Sequence, residues 1–562
     1  MKLNILIGGE AGQGLNTIDL ILGKTIFRSG YHLFSSKDYM SRIRGGHNFN
    51  MIRFSNEPVT AISDEVDILV ALNEETVTLH KDQLKEQAIV IFDGDVDTGG
   101  KELISLPART IAKEINPRGV NTVFVGAVLK ILGLSIEKAR AVLKDYFKKE
   151  EVADDNIKLL EKGYQKVNSY FNLPAASGLK DQLYLDGNNA IGLGAAIAGV
   201  QFYAAYPMSP STSIMNYLAS KQSQLGIVVE QAEDEIAALN MALGGSYAGI
   251  RSMTGTSGGG FALMTEAVGL AGIAEIPVVI ADIQRPGPAT GLPTRTEQGD
   301  LLFAINAGQG DVPLMVVAPR DHKDAFEQTF RSFNLADKYQ IPVIILSDQF
   351  LADSARNLES FQLERLKIER GLPSPEELAK IKDYKRYEIT ETGISPRIYP
   401  GQVPGEVVLI DSDEHDQYGH IIEGAAMRKA MVEKRGRKIA KLAAEELLEP
   451  VYQGGETIDF LLIGWGSSYG PLQEAVQLLN QAGYHTGLLS FNDVWPLPTG
   501  ELTSRVEKGA RVIVVENNAT AQFSRLIRSE TGLTAEKSIL KYDGRPYSGK
   551  EIFQRVISEV IQ

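Results

Sequence analysis

Four acidic side chains stand close together in the stretch VVEQAEDEIAALN (228–240), immediately before a run of small apolar residues. They are Glu230, Glu233, Asp234 and Glu235. Acids in the first turn of a helix interact favourably with the partial positive charge at its N-terminus, which is the commoner role of such residues. A carboxylate on an otherwise apolar helix would instead lie in a low dielectric, where its protonation responds to a bound partner. This stretch alone leaves both interpretations open.

The stretch AAYPMSPSTSIMN (204–216) could hold a substrate. Pro207 and Pro210 bracket Ser209, fix φ and remove two amide donors, so the loop is stiff. A hydroxyl held on such a loop can address a carboxylate or a carbonyl. The pair Ser211–Thr212 also predicts a helix N-cap at this point.

Two glycine-rich stretches further along the chain could approach an anionic or flat group. TGTSGGG (254–260) ends in three glycines, which allow close approach of the backbone. QRPGPATGLPTRTEQGDL (284–301) is a long loop of the kind that is often functional beside a rigid sheet. Its Arg285 and Arg295 could clamp a carboxylate through paired hydrogen bonds.

The N-terminal region contains a weaker candidate for anion binding. GGEAGQG (8–14) stands between a strand-like run and a helix, where backbone amides can meet an anion, although it departs from the GxGxxG pattern. Further on, SRIRGGHNFNMIRFS places Arg42, Arg44 and Arg53 around Gly45 and Gly46, and these arginines could hold phosphates or make ordinary surface ion pairs. The candidate residues are Gly9, Gly12, Gly14, Arg42 and Arg44.

Alternation of apolar runs with helical patterns predicts an α/β fold with several doubly wound parallel sheets. LNILIG, VDILVAL and AIVIFDG predict buried parallel strands in the first 172 or so residues, and 173–187 is typical of a linker. A second α/β alternation runs from Asn188 to about Asp353, and a third starts at residue 458. Between them, the charge-rich helix AMRKAMVEKRGRKIAKLAAEELL suggests contacts with a partner.

Composition excludes several classes of protein. The 562 residues carry a net charge of -14, which argues against binding nucleic acid or an anionic membrane. No run approaches the roughly 20 apolar residues of a membrane span, and no signal peptide is visible, so we expect a cytoplasmic protein. The absence of cysteine excludes disulfides and the usual thiolate ligation of an iron–sulfur cluster on this chain. The seven histidines form no metal-binding pair, so we expect no metal site.

Taken in order, these stretches resemble one family. The chain resembles the α subunit, with a fused γ domain, of 2-oxoacid:ferredoxin oxidoreductases. The stretches that carry this resemblance are GGEAGQG, RGGHN, YPMSPST, VVEQAEDEIAALNMALGGSYAG, TGTSGGG, QRPGPATGLPTRTEQGD and the C-terminal DVWPLP, ENN and KYDGRP. The 2-oxoglutarate (KorA-like) branch is most similar. The resemblance covers nearly the whole chain.

The resemblance implies four segments and half of a thiamine diphosphate site. Residues 1–173 would form a γ-type, coenzyme A-associated domain, 188–400 the pyrimidine-binding domain, 401–457 a connecting segment, and 458–562 a transketolase C-terminal-like domain. The pyrimidine-binding domain supplies a glutamate that bonds the aminopyrimidine ring and activates the cofactor. Glu235 best matches that glutamate and Glu233 is the alternative, which leaves Glu230 and Asp234 as ordinary first-turn acids.

The resemblance also implies residues that hold the substrate. Ser209 matches the hydroxyl residue that contacts the 2-oxoacid, with serine in place of the commoner threonine, on a loop whose Tyr206 and Pro207 border the cofactor. Arg285 matches the arginine that pairs with the substrate carboxylate, and Arg295 is a second candidate, for the distal carboxylate of 2-oxoglutarate. Coenzyme A would enter at the weaker N-terminal candidates described above.

The Gly-Asp-Gly motif that binds diphosphate and Mg²⁺ in this family is missing from the chain. The resemblance therefore implies a β subunit that carries this motif, the Mg²⁺ and a [4Fe–4S] cluster, in an assembly of two αβ pairs that reduces ferredoxin. We expect no activity from this chain alone.

The expected reaction converts 2-oxoglutarate, coenzyme A and oxidised ferredoxin to succinyl-CoA, CO₂ and reduced ferredoxin, or the reverse. Pyruvate, branched-chain 2-oxoacids or indolepyruvate are alternative substrates. Two other classes stay open. One is a non-catalytic nucleotide-binding subunit. The other is a transketolase-like transferase, which the fused N-terminal domain disfavours.

Overall fold

The computed structural model describes residues 1–42 and 45–561. The strands are β1 (Lys2–Ala11), β2 (His32–Asp38), β3 (Gly45–Ser55), β4 (Val66–Ala71), β5 (Leu84–Phe92), β6 (Glu102–Ser105), β7 (Gln182–Asp186), β8 (Phe202–Ala205), β9 (Val228–Gln231), β10 (Ser252–Thr256), β11 (Val278–Gln284), β12 (Met315–Val317), β13 (Pro342–Asp348), β14 (Ala355–Glu359), β15 (Val451–Gln453), β16 (Phe460–Trp465), β17 (Thr486–Phe491), β18 (Asp493–Trp495), β19 (Arg511–Glu516) and β20 (Lys537–Leu540).

The helices are α1 (Leu15–Arg28), α2 (Glu74–His80), α3 (Ala108–Ile115), α4 (Val120–Ile131), α5 (Glu137–Tyr146), α6 (Glu150–Gln165), α7 (Gly187–Ile197), α8 (Thr212–Leu225), α9 (Glu235–Tyr247), α10 (Gly258–Ile273), α11 (Leu301–Ile305), α12 (His322–Tyr339), α13 (Gln349–Asp353), α14 (Pro375–Leu378), α15 (Ala425–Glu445), α16 (Tyr469–Gln481), α17 (Gly500–Glu507), α18 (Gln522–Thr531) and α19 (Gly549–Val556). The chain divides into two compact units. The first contains Met1–Leu185, Asp353–Phe361 and Ser548–Glu551, and the second contains the remaining residues.

An eight-stranded sheet with the order β6-β5-β4-β1-β3-β2-β14-β7 forms the centre of the first unit. The predicted strands LNILIG, VDILVAL and AIVIFDG are β1, β4 and β5, which are parallel and buried, so this prediction is confirmed. The sheet is mixed, because GGHNFNMIRFS forms β3, which pairs antiparallel with both β1 and β2. The glycine pair between the arginines is therefore the start of a strand.

The prediction that residues 173–187 form a linker is wrong for the second half of that stretch. Residues 182–186 form β7, the edge strand next to β14 in the sheet of the first unit. Tyr184 in this strand stacks on Phe27, with 5.9 Å between the ring centroids. The Tyr184 hydroxyl also occupies the space beside Gly23, 2.8 Å from where a Cβ on that glycine would lie. Aromatic packing of this kind orders a segment whose composition is typical of a linker.

The second unit contains two sheets, so the predicted α/β alternations are confirmed. The larger has seven strands in the order β18-β12-β13-β11-β10-β8-β9, all parallel except β18, which pairs antiparallel with β12. The smaller has the order β15-β17-β16-β19-β20, with β15 antiparallel to β17. Buried side chains of both sheets and of α9, α10 and α18 form one apolar core.

The charge-rich helix α15 buries part of its polar face within the second unit, while the contacts with a partner stay a prediction. Lys434 and Lys438 are fully buried, and their amines donate to the two carboxylate oxygens of Glu275 at 2.7 and 2.8 Å. Arg386 donates to the carbonyl oxygen of Glu275 at 2.6 Å. Burial alone would raise the pKa of Glu275, but these three cations hold the pKa below its usual value. The carboxylate is therefore ionised inside the core.

Within residues 1–42 and 45–561, none of the helices combines the length and the apolar character that a membrane crossing requires. The same residues contain no group of three or more His, Asp or Glu side chains that could hold a metal ion.

Candidate active site

The larger sheet of the second unit contains a reversal of strand order, the place where ligands bind in folds of this kind. Strands β8 and β10 are neighbours in the larger sheet, and the chain continues from β8 to β9 on one side and from β10 to β11 on the other. In a doubly wound sheet, such a reversal of strand order opens a binding crevice at the carboxyl ends of the strands. The stretch YPMSPST (206–212) follows β8, and the glycine turn 258–260 follows β10.

The structure gives the four acids of EQAEDE different environments. Glu230 lies on β9, paired with Ala204, and Asp234 is the N-cap of α9, where its carboxylate accepts from the amide of Ala237 at 2.8 Å. The prediction that Glu230 and Asp234 are first-turn acids is therefore wrong, because VVEQ continues the sheet and the helix begins later. Glu233 is exposed, whereas Glu235, the first residue of α9, is 4 % exposed.

The carboxylate of Glu235 lies against the glycine turn after β10. A Cβ built on Gly260 would lie 2.4 Å from Glu235 Oε1 and 2.1 Å from Thr256 Oγ1, so both groups occupy the space beside this glycine. Oε1 of Glu235 is buried and accepts no hydrogen bond from the part of the chain that the structure describes. A buried acceptor without a donor is costly, so this oxygen is suited to a donor supplied by a ligand.

The loop after β8 is joined to the end of β11 by Arg285. Its Nη1 donates to the carbonyl oxygen of Ser209 at 2.6 Å, which brings two of the predicted substrate residues together. Ser209 and Tyr206 are exposed and Pro207 is half-buried, so this loop is accessible to a ligand. The N-cap prediction for Ser211 is only partly right. α8 does begin at Thr212, but the Ser211 hydroxyl donates back to the carbonyl of Met208.

Two carboxylates influence the Arg285 guanidinium. Partial burial lowers the pKa of Arg285, while the charges of Asp300 and Glu235 oppose that shift. The guanidinium therefore lies within electrostatic range of the Glu235 carboxylate and of an acid that was not among the predicted site residues.

Three acids that influence one another's charge were not among the predicted site residues, namely Asp282, Asp300 and Glu297. Asp282 on β11 is fully buried, and burial followed by the charge of Asp300 raises its pKa well above the usual value. Burial raises the pKa of Asp300 to about 6, and burial together with Asp300 raises the pKa of Glu297 to about 7. The signal for Asp282 was present, because IPVVIADIQ places an acid inside an otherwise apolar strand. Strongly shifted carboxyl groups are common at functional sites.

The loop that carries Arg285 is fixed to the smaller sheet of the same unit. Gln298 donates to the carbonyl of Trp465 at 2.9 Å, and its Oε1 accepts from the amide of Asn517 at 3.1 Å. Asn518 donates to the carbonyl of Gln298 at 3.1 Å. These contacts lie at the carboxyl ends of β16 and β19, where the strand order of that sheet reverses. The ENN stretch thus anchors the loop instead of opening a second crevice.

Arg295 lies against the C-terminal KYDGRP stretch. It is 9 % exposed, and a Cβ built on Gly544 would lie 3.1 Å from its Cβ. The amide of the next residue, Thr296, donates to the carbonyl of Gly544. These contacts place Arg295 within the anchored part of the loop, whereas Arg285 contacts the loop after β8.

The predicted coenzyme A residues lie in the first unit. Gly12 and Gly14 have φ of 92° and 78° and form the turn between β1 and α1, and Gly9 is on β1. Asn121 closes this turn by donating to the carbonyls of Gln13 and Gly14 at 2.8 and 3.2 Å. Arg42 is exposed. Arg44 lies outside the described residues.

The close approach at Gly260 gives a stability prediction. We expect Gly260→Ala to lower the apparent melting temperature of the full chain by several degrees, because the new methyl group must displace Thr256 or Glu235. Gly259→Ala is the matched control, since a Cβ there meets only the carbonyl of Ala289 at 3.5 Å and alanine favours the helix. Differential scanning fluorimetry measures both. Equal melting temperatures for the two variants would contradict the packing described here.

Comparison with known proteins relates this site to a family. Three family models match this chain. Residues 193–434 match the model described as pyruvate flavodoxin/ferredoxin oxidoreductase, thiamine diphosphate-binding. Residues 4–166 match pyruvate ferredoxin/flavodoxin oxidoreductase, and residues 458–551 match pyruvate:ferredoxin oxidoreductase core domain II. A 2-oxoacid:ferredoxin oxidoreductase subunit alpha from Sulfolobus sp is 34% identical, over 100% of this chain and 97% of its own. The chain belongs to the 2-oxoacid:ferredoxin oxidoreductase family, as an α subunit.

Members of the 2-oxoacid:ferredoxin oxidoreductase family that act on 2-oxoglutarate are also similar. The 2-oxoglutarate oxidoreductase subunit KorA of Mycobacterium tuberculosis is 28% identical, over 98% of this chain and 90% of its own. The solved structure of 2-oxoglutarate:ferredoxin oxidoreductase from Magnetococcus marinus, with 2-oxoglutarate, coenzyme A and succinyl-CoA bound, is 33% identical and superimposes with a TM-score of 0.93 over 100% of both chains. This chain is thus an oxidoreductase subunit with ferredoxin as acceptor and a thiamine diphosphate-binding domain.

The crevice in this oxidoreductase subunit fits the pyrimidine half of thiamine diphosphate. The aminopyrimidine ring needs a carboxyl partner for a ring nitrogen, and Glu235 offers a buried oxygen without a donor. Gly259, near the start of α10, leaves open space beside the backbone, since a Cβ built there would meet only the carbonyl of Ala289 at 3.5 Å. When bound, the cofactor supplies the carbanion chemistry that splits CO₂ from a 2-oxoacid.

Proposed function

We propose that this chain is the α subunit of a 2-oxoglutarate:ferredoxin oxidoreductase. The reaction converts 2-oxoglutarate, coenzyme A and two oxidised ferredoxins to succinyl-CoA, CO₂, two reduced ferredoxins and a proton. The choice of 2-oxoglutarate is supported by the similarity to KorA and to the Magnetococcus marinus enzyme, both of which are named for that substrate.

The observation that carries the proposal is the buried carboxylate of Glu235 at the crevice between β8 and β10. Glu235 holds the aminopyrimidine ring of the cofactor and exchanges a proton with it. The exposure of Glu233 and the cap bond of Asp234 favour Glu235 over its neighbours for this role. The low dielectric around a residue that is 4 % exposed strengthens any bond that the carboxylate makes there.

The substrate lies between the loop after β8 and the end of β11. Arg285 binds the 2-oxoacid carboxylate, and the hydroxyl of Ser209 contacts the same substrate, because the bond between Arg285 and the Ser209 carbonyl already brings the two residues together. Tyr206 and Pro207 border the cofactor. Arg295, on the same loop as Arg285, is the candidate for the distal carboxylate of 2-oxoglutarate, and in that role it would select between substrates.

A β subunit completes the enzyme. It carries the diphosphate-binding motif, the Mg²⁺ and a [4Fe–4S] cluster, since this chain has neither the motif nor a cysteine. The cluster would supply the route for electrons to ferredoxin, and two αβ pairs would form the assembly. Coenzyme A binds at the γ-type domain, residues 1–173, with the glycine turn 8–14 and Arg42 and Arg44 as its contacts. The other domains extend over 188–400 and 458–562, joined by 401–457.

The substrate assignment is tested with the αβ complex isolated from its native source. Initial rates of ferredoxin reduction are measured with coenzyme A and either 2-oxoglutarate or pyruvate. We expect kcat/KM for 2-oxoglutarate to exceed that for pyruvate by about 100-fold, as when a site built to bind a charged group meets a substrate that lacks it. A higher kcat/KM for pyruvate would contradict the substrate assignment while leaving the reaction type in place.

Arg285 gives the sharpest test of substrate binding. We expect Arg285→Gln to raise KM for 2-oxoglutarate by about 10- to 100-fold with a smaller change in kcat, because a charge-assisted pair with the substrate carboxylate is lost. Steady-state rates of ferredoxin reduction measure both constants. If Arg285→Gln leaves KM unchanged for both substrates, Arg285 does not bind the carboxylate.

The same steady-state rates test Arg295. Arg295→Gln should raise KM for 2-oxoglutarate more than KM for pyruvate.

A further inference from the structure

The loop between β8 and α8 contains three consecutive carbonyl groups that each accept a hydrogen bond from a side chain. The Ser211 hydroxyl donates to the carbonyl of Met208 at 2.8 Å, and Arg285 Nη1 donates to that of Ser209 at 2.6 Å. The carbonyl of Pro210 accepts from a side chain of α7 at 2.8 Å. These three acceptors are therefore already occupied by the protein.

Asn188, the second residue of α7, is the donor to Pro210. Its Nδ2 also donates to the hydroxyl oxygen of Ser213, in the first turn of α8, at 2.7 Å. The side chain is fully buried, and the two bonds use both hydrogens of the amide group. Asn188 thus joins the start of α7 to the end of the loop and to the helix that follows it.

The oxygen of the Asn188 amide has no such partner. Oδ1 is buried and accepts no hydrogen bond within residues 1–42 and 45–561. An apolar side chain of similar volume would avoid that cost, so the two bonds donated by Nδ2 are what an asparagine contributes here. The next residue, Asn189, differs in this respect, because its Nδ2 donates to Asp186 at 2.7 Å and contacts no group of the loop.

The groups that this loop leaves free for a ligand are hydrogen-bond donors. Pro207 and Pro210 have no amide hydrogen. The amides of Met208 and Ser209 donate to no acceptor in the part of the chain that the structure describes. Nε of Arg285 is buried and likewise lacks an acceptor among those residues. Two amides and a guanidinium nitrogen without acceptors suit the oxygens of a carboxylate.

We propose that Asn188 is a positioning residue for the 2-oxoacid site: by holding the Pro210 carbonyl and the first turn of α8, it keeps the donors of the loop available to the substrate carboxylate. Without these bonds the Pro210 carbonyl becomes an unoccupied acceptor next to Ser209, and an acceptor dipole near an anion is repulsive. This inference rests on the proposed function, because it requires the substrate to bind at Ser209 and Arg285.

Two substitutions of Asn188 remove the donor. Asn188→Leu replaces the amide with an apolar group of similar volume, and Asn188→Asp keeps the shape but places a carboxylate oxygen opposite the Pro210 carbonyl. We expect each to raise KM for 2-oxoglutarate and for pyruvate by the same factor of about 10, the equivalent of one or two lost hydrogen bonds. The factor is shared because both substrates carry the carboxylate that the loop binds. kcat and KM for coenzyme A should change little.

The experiment compares the αβ complex in four forms, namely the wild type, the two Asn188 variants and the matched control Asn189→Leu. Steady-state rates of ferredoxin reduction give KM and kcat, and melting temperatures show whether a change reflects folding. Hydrogen exchange of residues 206–213, followed by mass spectrometry without substrate, reports on the loop itself. It should be faster in both Asn188 variants, whereas Asn189→Leu should match the wild type in every measurement.

Three results would overturn the inference alone. They are an unchanged KM for both substrates in the Asn188 variants, a KM raised for only one substrate, and a lower kcat with unchanged KM. If one Asn188 variant does not assemble, the other decides. A wild-type complex that converts no 2-oxoacid would instead overturn the proposed function and, with it, this role of Asn188. Hydrogen exchange would still show separately whether Asn188 holds the loop.

Discussion

Glu235→Gln should reduce 2-oxoglutarate-dependent ferredoxin reduction by the αβ complex by about 10²- to 10⁴-fold, the range that a positioned proton-transfer group contributes. The substitution keeps the shape of the side chain but removes the carboxylate that would exchange a proton with the aminopyrimidine ring. Steady-state rates at saturating thiamine diphosphate measure the loss in kcat. Binding of the cofactor, followed by calorimetry, should weaken much less than kcat falls.

Glu233→Gln provides the matched comparison for Glu235. Glu233 is two residues away and exposed, and it was the alternative candidate for the same role. We expect Glu233→Gln to retain activity within a few-fold of the wild type, since surface substitutions have small effects. A large loss in Glu233→Gln together with an active Glu235→Gln enzyme would transfer the role to Glu233.

The largest loss of stability is expected from Glu275→Ala. The change leaves Lys434 and Lys438 buried without their anion, and breaking a buried ion pair on one side costs about 3–5 kcal/mol. Chemical unfolding of the full chain, followed by circular dichroism, should show a lower transition midpoint and a free energy of unfolding that is smaller by that amount. Because the pKa of Glu275 is held below its usual value, its contribution to stability is present above the unfolded pKa and is lost as the pH falls toward the folded pKa.

Glu433→Ala is the matched control on the same helix. Glu433 pairs with Lys429 at 3.7 Å, and its side chain is 56% exposed. An exposed pair of this kind contributes about 0–1 kcal/mol, so the transition midpoint should hardly move. Equal midpoints for Glu275→Ala and Glu433→Ala would show that the buried cluster does not stabilise the fold.

The sequence predicted the strands of both units where apolar runs are continuous. β1, β4 and β5 are recognisable because a parallel strand that is buried on both faces forms one short, nearly continuous apolar run. β7 was missed because its stability comes from Tyr184 packing on Phe27, a contact between residues far apart in the chain. The buried face of α15 was missed for the same reason, since the burial of Lys434 depends on an ion pair with Glu275, which is far away in the sequence.

The part of the candidate site that lies on loops at strand ends could be predicted, because local sequence patterns indicate such loops. Ser209 and Arg285 were singled out from their loops, and the structure joins them by a hydrogen bond. The choice between Glu233 and Glu235 depended on the start of α9, which periodicity does not fix to one residue. Asp300 could not be singled out, because its raised pKa depends on burial by parts of the chain that are distant in sequence, such as Gly258.

The measurement that tests the central claim most directly is the visible absorbance of the αβ complex on addition of 2-oxoglutarate and coenzyme A without ferredoxin. If Glu235 activates thiamine diphosphate for 2-oxoacid oxidation, the iron–sulfur band of the wild-type complex should bleach within seconds, and that of Glu235→Gln should bleach about 100-fold more slowly or more. A wild-type band that stays unchanged with every 2-oxoacid, or a Glu235→Gln complex that bleaches at the wild-type rate, would contradict the account.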